Sequence, residues 1–270
     1  MTLAEKINNE VAGRDELLLW YVGQAGFLLK TPHGKVIAID LYLSDAAERL
    51  FGFKRMIPAV IRPEDLNVDY YLSTHSHIDH LDTDILTTVA GCDNTFFIGS
   101  PDCEAVYQQY NIPHDRYTIL QTGDSFRFAD LTVRAIYADH GDLAPDAMGL
   151  LVETGGMKIF HTGDTAYTPD KIATSLHTDL DVLIAPINAQ FGNMNVHEAC
   201  RLAGVLKPKV LIASHFWMFL EHVGEGGSGD PASFLREATL LPKSITPLVM
   251  APGEMLRYKM NHTMTSKPVI

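Results

Sequence analysis

The 270-residue sequence predicts an α/β fold in which β-sheets are covered by helices. Each half of the chain contains short apolar segments joined by tight turns, which is the pattern of antiparallel hairpins. Strand-like and helix-like segments alternate after these hairpins. Because no repeat and no linker divides the chain, residues 1–270 are predicted to form one domain with a core of about residues 17–258.

The first strands are predicted to follow a short helix at residues 3–11. The apolar runs at residues 17–22 and 27–30 flank the turn Gly23-Gln24-Ala25-Gly26, and a third run follows at residues 35–40. Three short strands with such tight connections indicate an antiparallel meander. Residues 41–67 show no regular pattern, and a loop of this length in a compact domain commonly covers a functional site.

The rest of the chain alternates between helices and strands. Helices are predicted at residues 81–90, 101–110, 169–175 and 196–206, and from Pro231 with Asp230 as the N-cap. Strands are predicted at residues 95–98, 117–120, 126–128, 131–138, 148–153, 157–160, 181–187, 210–214, 247–250 and 255–258. The sequence Thr154-Gly155-Gly156 predicts a hairpin turn. Residues 224–229 are predicted to be flexible, and the residues from Asn261 onward to be disordered.

One polar stretch, residues 73–82, places three histidines and a carboxylate within six positions, directly after an apolar run. Alternate side chains of a strand share a face, so His75 and His77 would point the same way. Asp79 and His80 fall where the next helix begins, so they can turn back towards the same point. Imidazoles and carboxylates that converge in this way predict a metal-binding turn.

Four more candidate residues follow strands further along the chain, where a rigid scaffold can present them to a substrate. They are His140, His161, Asp164 and His215. A single histidine after a strand is more often a hydrogen-bonded core residue. The significance of these four therefore depends on the order of the whole set.

That order resembles the metallo-β-lactamase superfamily: His-x-His-x-Asp-His, then one His, then Gly-Asp-Thr, then Ser-His-Phe, each at a strand end. The resemblance implies a four-layer αββα sandwich, with two mixed sheets flanked by helices and a dinuclear metal site at their edge. The implied ligands are His75, His77 and His140 for one metal, Asp79, His80 and His215 for the other, and Asp164 as the bridge. His161 matches no ligand position, so we expect it to support the site or to pack the strand.

A narrower resemblance, to the L-ascorbate-6-phosphate lactonase branch, is carried by residues 20–27, 98–101 and 160–165. That branch consists of cytoplasmic, manganese-dependent hydrolases. The resemblance implies a metal-dependent hydrolase that opens a small phosphorylated sugar lactone, such as L-ascorbate 6-phosphate.

The ligand types suit two divalent ions, Mn or Zn, and Fe is also compatible with them. Such a pair lowers the pKa of a water between the ions and supplies hydroxide near neutral pH. We predict two catalytic carboxylates for this chemistry. Asp79 would orient the hydroxide, and Asp164 would reduce the repulsion between the ions.

Substrate contacts are predicted by position alone. Lys54, Arg55 and Arg62 are candidates for neutralising a phosphate, although each is also typical of a solvated surface. Four further residues are expected near the site from the order of the strands: Tyr167, Asn188, His197 and His222.

The composition limits the partners. The formal charge is −12, with 21 Lys+Arg against 33 Asp+Glu, which argues against a nucleic-acid partner and leaves a small anionic substrate possible at a metal site. We expect no membrane association, because no apolar stretch reaches about 20 residues and residues 1–20 lack a signal-peptide layout. Three cysteines without paired spacing agree with a cytoplasmic protein. A homo-oligomer is compatible with the sequence.

Three alternatives compete with the lactonase hypothesis. A phosphodiesterase or nuclease would use the same dinuclear scaffold, but it would favour a cationic surface. A di-iron oxidoreductase would favour an acidic residue in place of His77, together with a flavin domain. A non-catalytic binding protein would have no need of the complete ligand set.

Overall fold

The computed structural model describes residues 1–92, 94–129, 131–222 and 229–260, together with the backbone of residues 264–267. The α-helices are α1 (Leu3–Asn9), α2 (Ala46–Phe51), α3 (Thr83–Ala90), α4 (Cys103–Gln109), α5 (Pro169–Leu176), α6 (Val196–Leu206) and α7 (Pro231–Glu237). The strands are β1 (Glu16–Gly23), β2 (Gly26–Lys30), β3 (Val36–Ile39), β4 (Tyr70–Ser73), β5 (Phe96–Gly99), β6 (Tyr117–Ile119), β7 (Ser125–Phe128), β8 (Leu131–Tyr137), β9 (Met148–Thr154), β10 (Met157–His161), β11 (Val182–Pro186), β12 (Val210–Ser214), β13 (Thr246–Leu248), β14 (Met255–Lys259) and β15 (Met264–Lys267).

The strands form two mixed sheets, as predicted. The first has the order β15-β14-β1-β2-β3-β4-β5-β6. It is antiparallel from β15 to β3, which includes the predicted meander, and parallel from β3 to β6. The second has the order β13-β12-β11-β10-β9-β8-β7. It is parallel from β13 to β10 and antiparallel from β10 to β7.

Strand β1 is buried on both faces, so its sheet must be covered on both sides. Leu17, Leu19 and Tyr21 belong to the core that the two sheets share, together with Val152 of the second sheet. The alternate residues, including Trp20, belong to a separate core with helices α1, α3 and α4. Helices α5, α6 and α7 pack on the second sheet. The result is the predicted αββα sandwich; the assignment of the chain to one domain stays a prediction.

The structure corrects three expectations. Residues 41–67 are not irregular throughout, because helix α2 forms within them. The strand before the histidine stretch ends at Ser73, so His75 and His77 lie in a loop rather than on a strand. Residues Met264–Lys267 form strand β15, which completes hydrogen bonds along the edge of β14, where disorder was predicted.

The structure also bears on the predicted helix cap, the glycine-rich segment, the cysteines and the membrane-spanning potential of the helices. Asp230 caps α7 as predicted, because its carboxylate accepts the backbone N–H groups of Ala232 and Ser233. The predicted flexible segment lies outside the described residues except for Gly229. All three cysteines are free thiols. Within the described part of the chain, none of the helices has the length and apolar character needed to cross a membrane.

The two sheets are joined at one edge, where strands from both of them end. The backbone N–H of Met148 in β9 donates to the carbonyl of Thr74 at 3.0 Å. The backbone N–H of His215, directly after β12, donates to the carbonyl of Gln24 at 2.8 Å. The first bond ties the loop after β4 to strand β9, and the second ties the loop after β1 to the loop after β12. This edge carries the candidate site.

Candidate metal centre

The structure brings together all seven predicted metal ligands. Four of them follow β4, and the others follow β8, β10 and β12. Three groups of ligand atoms each lie within 4.8 Å of one another. The groups are His75, His77 and His140; His75, His80 and Asp164; and Asp79, His80 and His215. Asp164 also lies near both ends of the cluster, because one of its oxygens is 3.8 Å from Nε2 of His140 and 3.3 Å from Nε2 of His215.

The donor atoms of this cluster fit a metal. Both ring nitrogens of His140 are buried and have no hydrogen-bond partner, and His80 Nε2 and Asp164 Oδ1 are buried without a hydrogen bond although they lie 3.3 Å from each other. Buried polar atoms are normally paired, because leaving one unpaired costs about 1–3 kcal/mol. Imidazole nitrogen and carboxylate oxygen are suitable ligands for divalent ions such as Zn, Mn or Fe. Metal coordination would satisfy His80 Nε2, Asp164 Oδ1 and one of the two ring nitrogens of His140.

Hydrogen bonds from the protein set the orientation of the ligand imidazoles. Nδ1 of His80 donates to Oδ2 of Asp40 at 2.8 Å, which leaves Nε2 to face the cluster. Nε2 of His77 lies 3.1 Å from the carbonyl oxygen of Leu143, which leaves Nδ1 facing Nε2 of His75 at 2.9 Å. Thr74 Oγ1 lies 3.1 Å from Nδ1 of His75. Each ring therefore directs its remaining nitrogen into the site.

Sequence reasoning missed three residues that hold the ligands. The amide of Gln24 donates to Asp79 Oδ2 at 2.7 Å, and its Nε2 lies 3.1 Å from His215 Nε2. The amide of Asn193 donates to Asp164 Oδ2 at 2.7 Å. Asp40 accepts from His80. Their residue types are ordinary, and Gln24 and Asp40 lie in a turn and at a strand end before the metal motif.

Backbone strain is the other feature that marks the site. Gln24, Asp40 and His215 adopt left-handed conformations with φ of 55°, 47° and 56°. This region is uncommon for residues with a Cβ and often marks functional sites. The strain turns each side chain towards the centre at the point where its strand ends. It depends on the folded backbone, so no sequence pattern revealed it.

The charges of the cluster are strongly coupled. Burial opposes the ionised form of Asp164, but the imidazoles of His215 and His80 outweigh it and hold the pKa of Asp164 well below its usual value. The pKa of Asp79 is lowered against the same burial effect, chiefly by His80 and His215. Burial also opposes the imidazolium of His215, yet Asp164 and Asp79 raise its pKa to about 9. In the metal-free protein, positive imidazoles thus compensate the carboxylates.

His75 and His140 behave in the opposite way. Burial, reinforced by the neighbouring His80, lowers the pKa of His75 well below its ordinary value. Burial is also the main reason why the pKa of His140 is lowered. Both rings are therefore neutral near pH 7, which is the form that binds metals.

His161 lies outside the ligand set, as expected. Its Nε2 lies 2.8 Å from the carbonyl oxygen of Ala25, and its Nδ1 accepts the backbone N–H of Gly163 at 3.0 Å. The ring thereby ties the β1–β2 turn to the loop that carries Asp164.

The predicted phosphate-binding cations are not brought to the centre. Arg55 donates to the carbonyl oxygens of Tyr42 and Ser44, and its guanidinium lies 4.7 Å from the centroid of the Tyr42 ring. Arg62 is exposed and pairs with Asp65. Lys54 is exposed, and its backbone N–H donates to Glu221.

The other predicted substrate contacts divide into two groups. His222 lines the cleft that contains the metal ligands, and Asn188 lines a smaller pocket beside His215. Tyr167 instead packs under the guanidinium of Arg201, and His197 pairs with Glu237 at 2.6 Å. Their strands and helices lie in the predicted order, but these two side chains point elsewhere.

Five of the seven candidate ligands line a cleft of about 510 Å³, a volume typical of small-molecule sites. Helix α2 and the segment after it contribute Ala47, Phe51 and Phe53 to the cleft. The segment that was predicted to cover the site therefore lines it. The remaining lining residues are Ser76, His77, Ile78, Asp79, His140, Leu143, Asp164, Phe191, His215, Phe219 and His222.

Comparisons with known proteins agree with this fold. A family model described as the beta-lactamase superfamily domain matches residues 41–216, a span that contains all seven candidate ligands. A UPF0173 metal-dependent hydrolase of Polynucleobacter asymbioticus is 30% identical over 264 residues, covering 91% of this chain and 87% of that protein. A probable L-ascorbate-6-phosphate lactonase of Salmonella heidelberg is 23% identical over 258 residues, covering 79% of this chain and 73% of that protein.

Solved structures share the fold at low sequence identity. An isothiocyanate hydrolase from Delia radicum gut bacteria gives a TM-score of 0.71 at 20% identity, covering 90% of this chain and 99% of that one. The metallo-β-lactamase fold protein YhfI of Bacillus subtilis gives 0.65 at 17% identity, covering 90% and 100% of the two chains.

The sandwich and its clustered histidines and carboxylates define a metal-dependent hydrolase. The chain belongs to the metallo-β-lactamase superfamily, as the order of its metal-binding motifs predicts.

Proposed function

We propose that this hydrolase cleaves the ester or lactone bond of a small substrate, with two divalent ions held by the seven clustered residues. The observation that carries the proposal is the group of buried, partnerless ligand atoms at a cleft of small-molecule size. His75, His77 and His140 would hold one ion, and Asp79, His80 and His215 the other, with Asp164 between them. Mn and Zn suit this set, and Fe is compatible with it.

When bound, the ions supply an activated water and polarise the carbonyl oxygen of the substrate. The protein contributes orientation. The low pKa of Asp79 keeps its carboxylate ionised, so this side chain would accept a hydrogen bond and orient a water molecule rather than act as a general base. Gln24 fixes this carboxylate, and Asn193 fixes that of Asp164. Both carboxylates are therefore held in fixed positions before the substrate binds. This preorganisation suits the attack of a water molecule on a carbonyl carbon.

The hypothesis of a phosphorylated sugar lactone such as L-ascorbate 6-phosphate is supported by the resemblance of residues 20–27, 98–101 and 160–165 and by probable lactonases that are 23% identical to this chain. The positions of Lys54, Arg55 and Arg62 do not favour it. A lactone or ester without a phosphate would not need a lysine or arginine in the cleft. The type of bond that is cleaved and the charge of the substrate therefore have to be tested separately.

The test is hydrolysis by protein that has been stripped with a chelator and then reconstituted with Mn or Zn. Lactones, simple esters and phosphodiesters would be offered in parallel. We expect turnover of lactones or esters by the reconstituted protein and almost none by the stripped protein. Cleavage of phosphodiesters alone would favour the nuclease-type alternative, and full activity without metal would refute metal dependence.

Two variants serve as a matched pair in this experiment. His80→Ala removes a buried ligand of the centre and should abolish turnover, together with most of the binding of one ion. His197→Ala removes an exposed histidine that pairs with Glu237 instead. It should keep both the metal content and the activity.

We further propose that the protein acts in the cytoplasm on a small molecule, without a nucleic-acid or membrane partner. The net charge of −12 supports this, because nucleic acids and anionic membranes attract cationic surfaces. Binding of the purified protein to RNA with a steep dependence on salt would contradict it.

A further inference from the structure

The cleft that contains the metal ligands has an aromatic lining. Phe53 packs against the ring of His222, with centroids 4.5 Å apart, and lies 5.7 Å from Phe219. Phe191 lies 5.4 Å from His222. Phe51 lies 6.0 Å from Phe53. These rings belong to α2, to the segment after it and to the loops after β11 and β12, so the lining is assembled from both sheets.

Two of these rings contribute little to the stability of the protein. Phe191 is 51% exposed and Phe51 is 62% exposed, so neither gains the free energy of full burial. Phe191 also has a left-handed backbone with φ of 52°, which is unfavourable for a bulky residue. An exposed ring held in a strained conformation at a cleft suits a surface that an apolar ligand covers.

The same cleft has no lysine or arginine side chain among the lining residues that the structure describes. Arg55 donates through Nη1 to the carbonyl oxygens of Tyr42 and Ser44, its Nη2 is buried without a hydrogen-bond partner, and neither Lys54 nor Arg55 is among the lining residues. A phosphate placed against the phenyl rings would lose hydration without gaining a charged partner there. Apolar groups meet no such penalty.

We propose that the cleft binds an aryl or branched alkyl group of the substrate between Phe51, Phe53, Phe191 and Phe219, while the scissile bond lies at the ligand cluster. This inference rests on the proposed function for the bond that is cleaved, and it adds the substrate class: uncharged lactones or esters with an apolar substituent. The volume of about 510 Å³ accommodates a substituent of this size.

The kinetic test compares three γ-butyrolactones on the metal-loaded protein: one with a phenylethyl substituent, one unsubstituted and one with a phosphomethyl substituent. We expect kcat/KM to be highest for the phenylethyl lactone, by about tenfold or more over each of the other two. Phe191→Ala should reduce the preference for phenylethyl over unsubstituted lactone about tenfold, mainly through KM. The control Leu240→Ala, an exposed apolar residue outside the cleft lining, should keep the preference.

A binding measurement separates this inference from the proposed function. The lactam analogue of the phenylethyl lactone is not readily hydrolysed, so calorimetry can record its affinity for the wild type and for Phe191→Ala. Tight binding that Phe191→Ala weakens about tenfold supports the apolar site, even if no lactone is turned over and the proposed function fails. Two results would overturn the inference and leave the proposed function standing. One is turnover of lactones with a preference for the phosphomethyl compound. The other is lactam binding that Phe191→Ala does not change.

Discussion

Oδ2 of Asp40 lies 2.8 Å from Nδ1 of His80, and both side chains are completely buried. The same carboxylate accepts the backbone N–H of Thr74 at 2.8 Å and its hydroxyl at 2.7 Å. Because an ionised carboxylate can only accept, His80 must carry a proton on Nδ1. This leaves Nε2 to bind a metal. Asp40 therefore selects the tautomer of the candidate ligand His80, although Asp40 is not a candidate ligand itself.

The first prediction concerns this pair. Asp40→Asn replaces the acceptor with an amide that can turn its N–H₂ towards His80, so we expect metal affinity to fall about 10- to 100-fold. Competition with a chromogenic chelator measures the affinity. Asp65→Asn, which affects only an exposed pair with Arg62, is the control. Equal affinities for the two variants would show that Asp40 does not orient His80.

The second prediction concerns Gln24, whose amide holds Asp79. Gln24→Asn keeps a side chain that tolerates the left-handed backbone but shortens its reach by one methylene, so Asp79 loses its donor. We expect kcat to fall about tenfold, with little change in KM or in the melting temperature. A loss of stability in proportion to the loss of activity would indicate a structural role instead.

The third prediction is a pH dependence of the metal-free protein. The pKa of His215 rises from 6.5 to about 9 on folding, because Asp164 and Asp79 outweigh the effect of burial. The folded state then binds more protons than the unfolded state between these values. The stabilisation is complete below pH 6.5 and is lost as the pH rises towards about 9.

Urea unfolding across this pH range measures the effect. The free energy of unfolding of the metal-free protein should decrease with rising pH, while metal affinity should increase, because a metal requires the neutral imidazole. Metal binding near pH 7 should release protons into the buffer. His215→Gln should reduce the slope of the stability profile without abolishing it, because the pKa of His80 is raised as well. An unchanged slope in that variant would assign the whole effect to other groups.

The fourth prediction concerns Gly163, which precedes Asp164. Its φ is 61°, and a Cβ at this position would lie 2.8 Å from Cβ of Thr74. Gly163→Ala should therefore lower the free energy of unfolding by about 1–3 kcal/mol and weaken metal binding, because Thr74 contacts Asp40 and His75.

Gly52→Ala is the matched control for this change. Gly52 has a similar conformation, with φ of 80°, but nothing lies within 4 Å of an added Cβ. It should show the backbone strain alone, roughly 1 kcal/mol, with unchanged metal affinity. Equal effects of the two variants on metal binding would rule out a role for the contact with Thr74.

The sequence by itself predicted the scaffold and the candidate ligands. Four of the seven candidate ligands lie within six residues, and each of the others lies within three residues of the end of an apolar strand, so local pattern and strand order were sufficient to place them. Local sequence patterns also predicted the hairpins and the alternation of strands and helices. Because strands such as β1 are buried on both faces, each sheet must be covered on both sides, which requires two sheets and two layers of helices.

Only the tertiary structure decided how the ligands are oriented and what surrounds them. Gln24 meets Asp79 across 55 positions of the chain, and Asp40 meets His80 across 40, with side chains that are common everywhere. Arg55 illustrates the converse, because its position suggested a phosphate contact, whereas its Nη1 donates to two backbone carbonyl oxygens and it is not among the residues that line the cleft. Hydrogen bonds of this kind depend on which distant atoms packing brings within about 3 Å, and a local sequence pattern does not encode that distance.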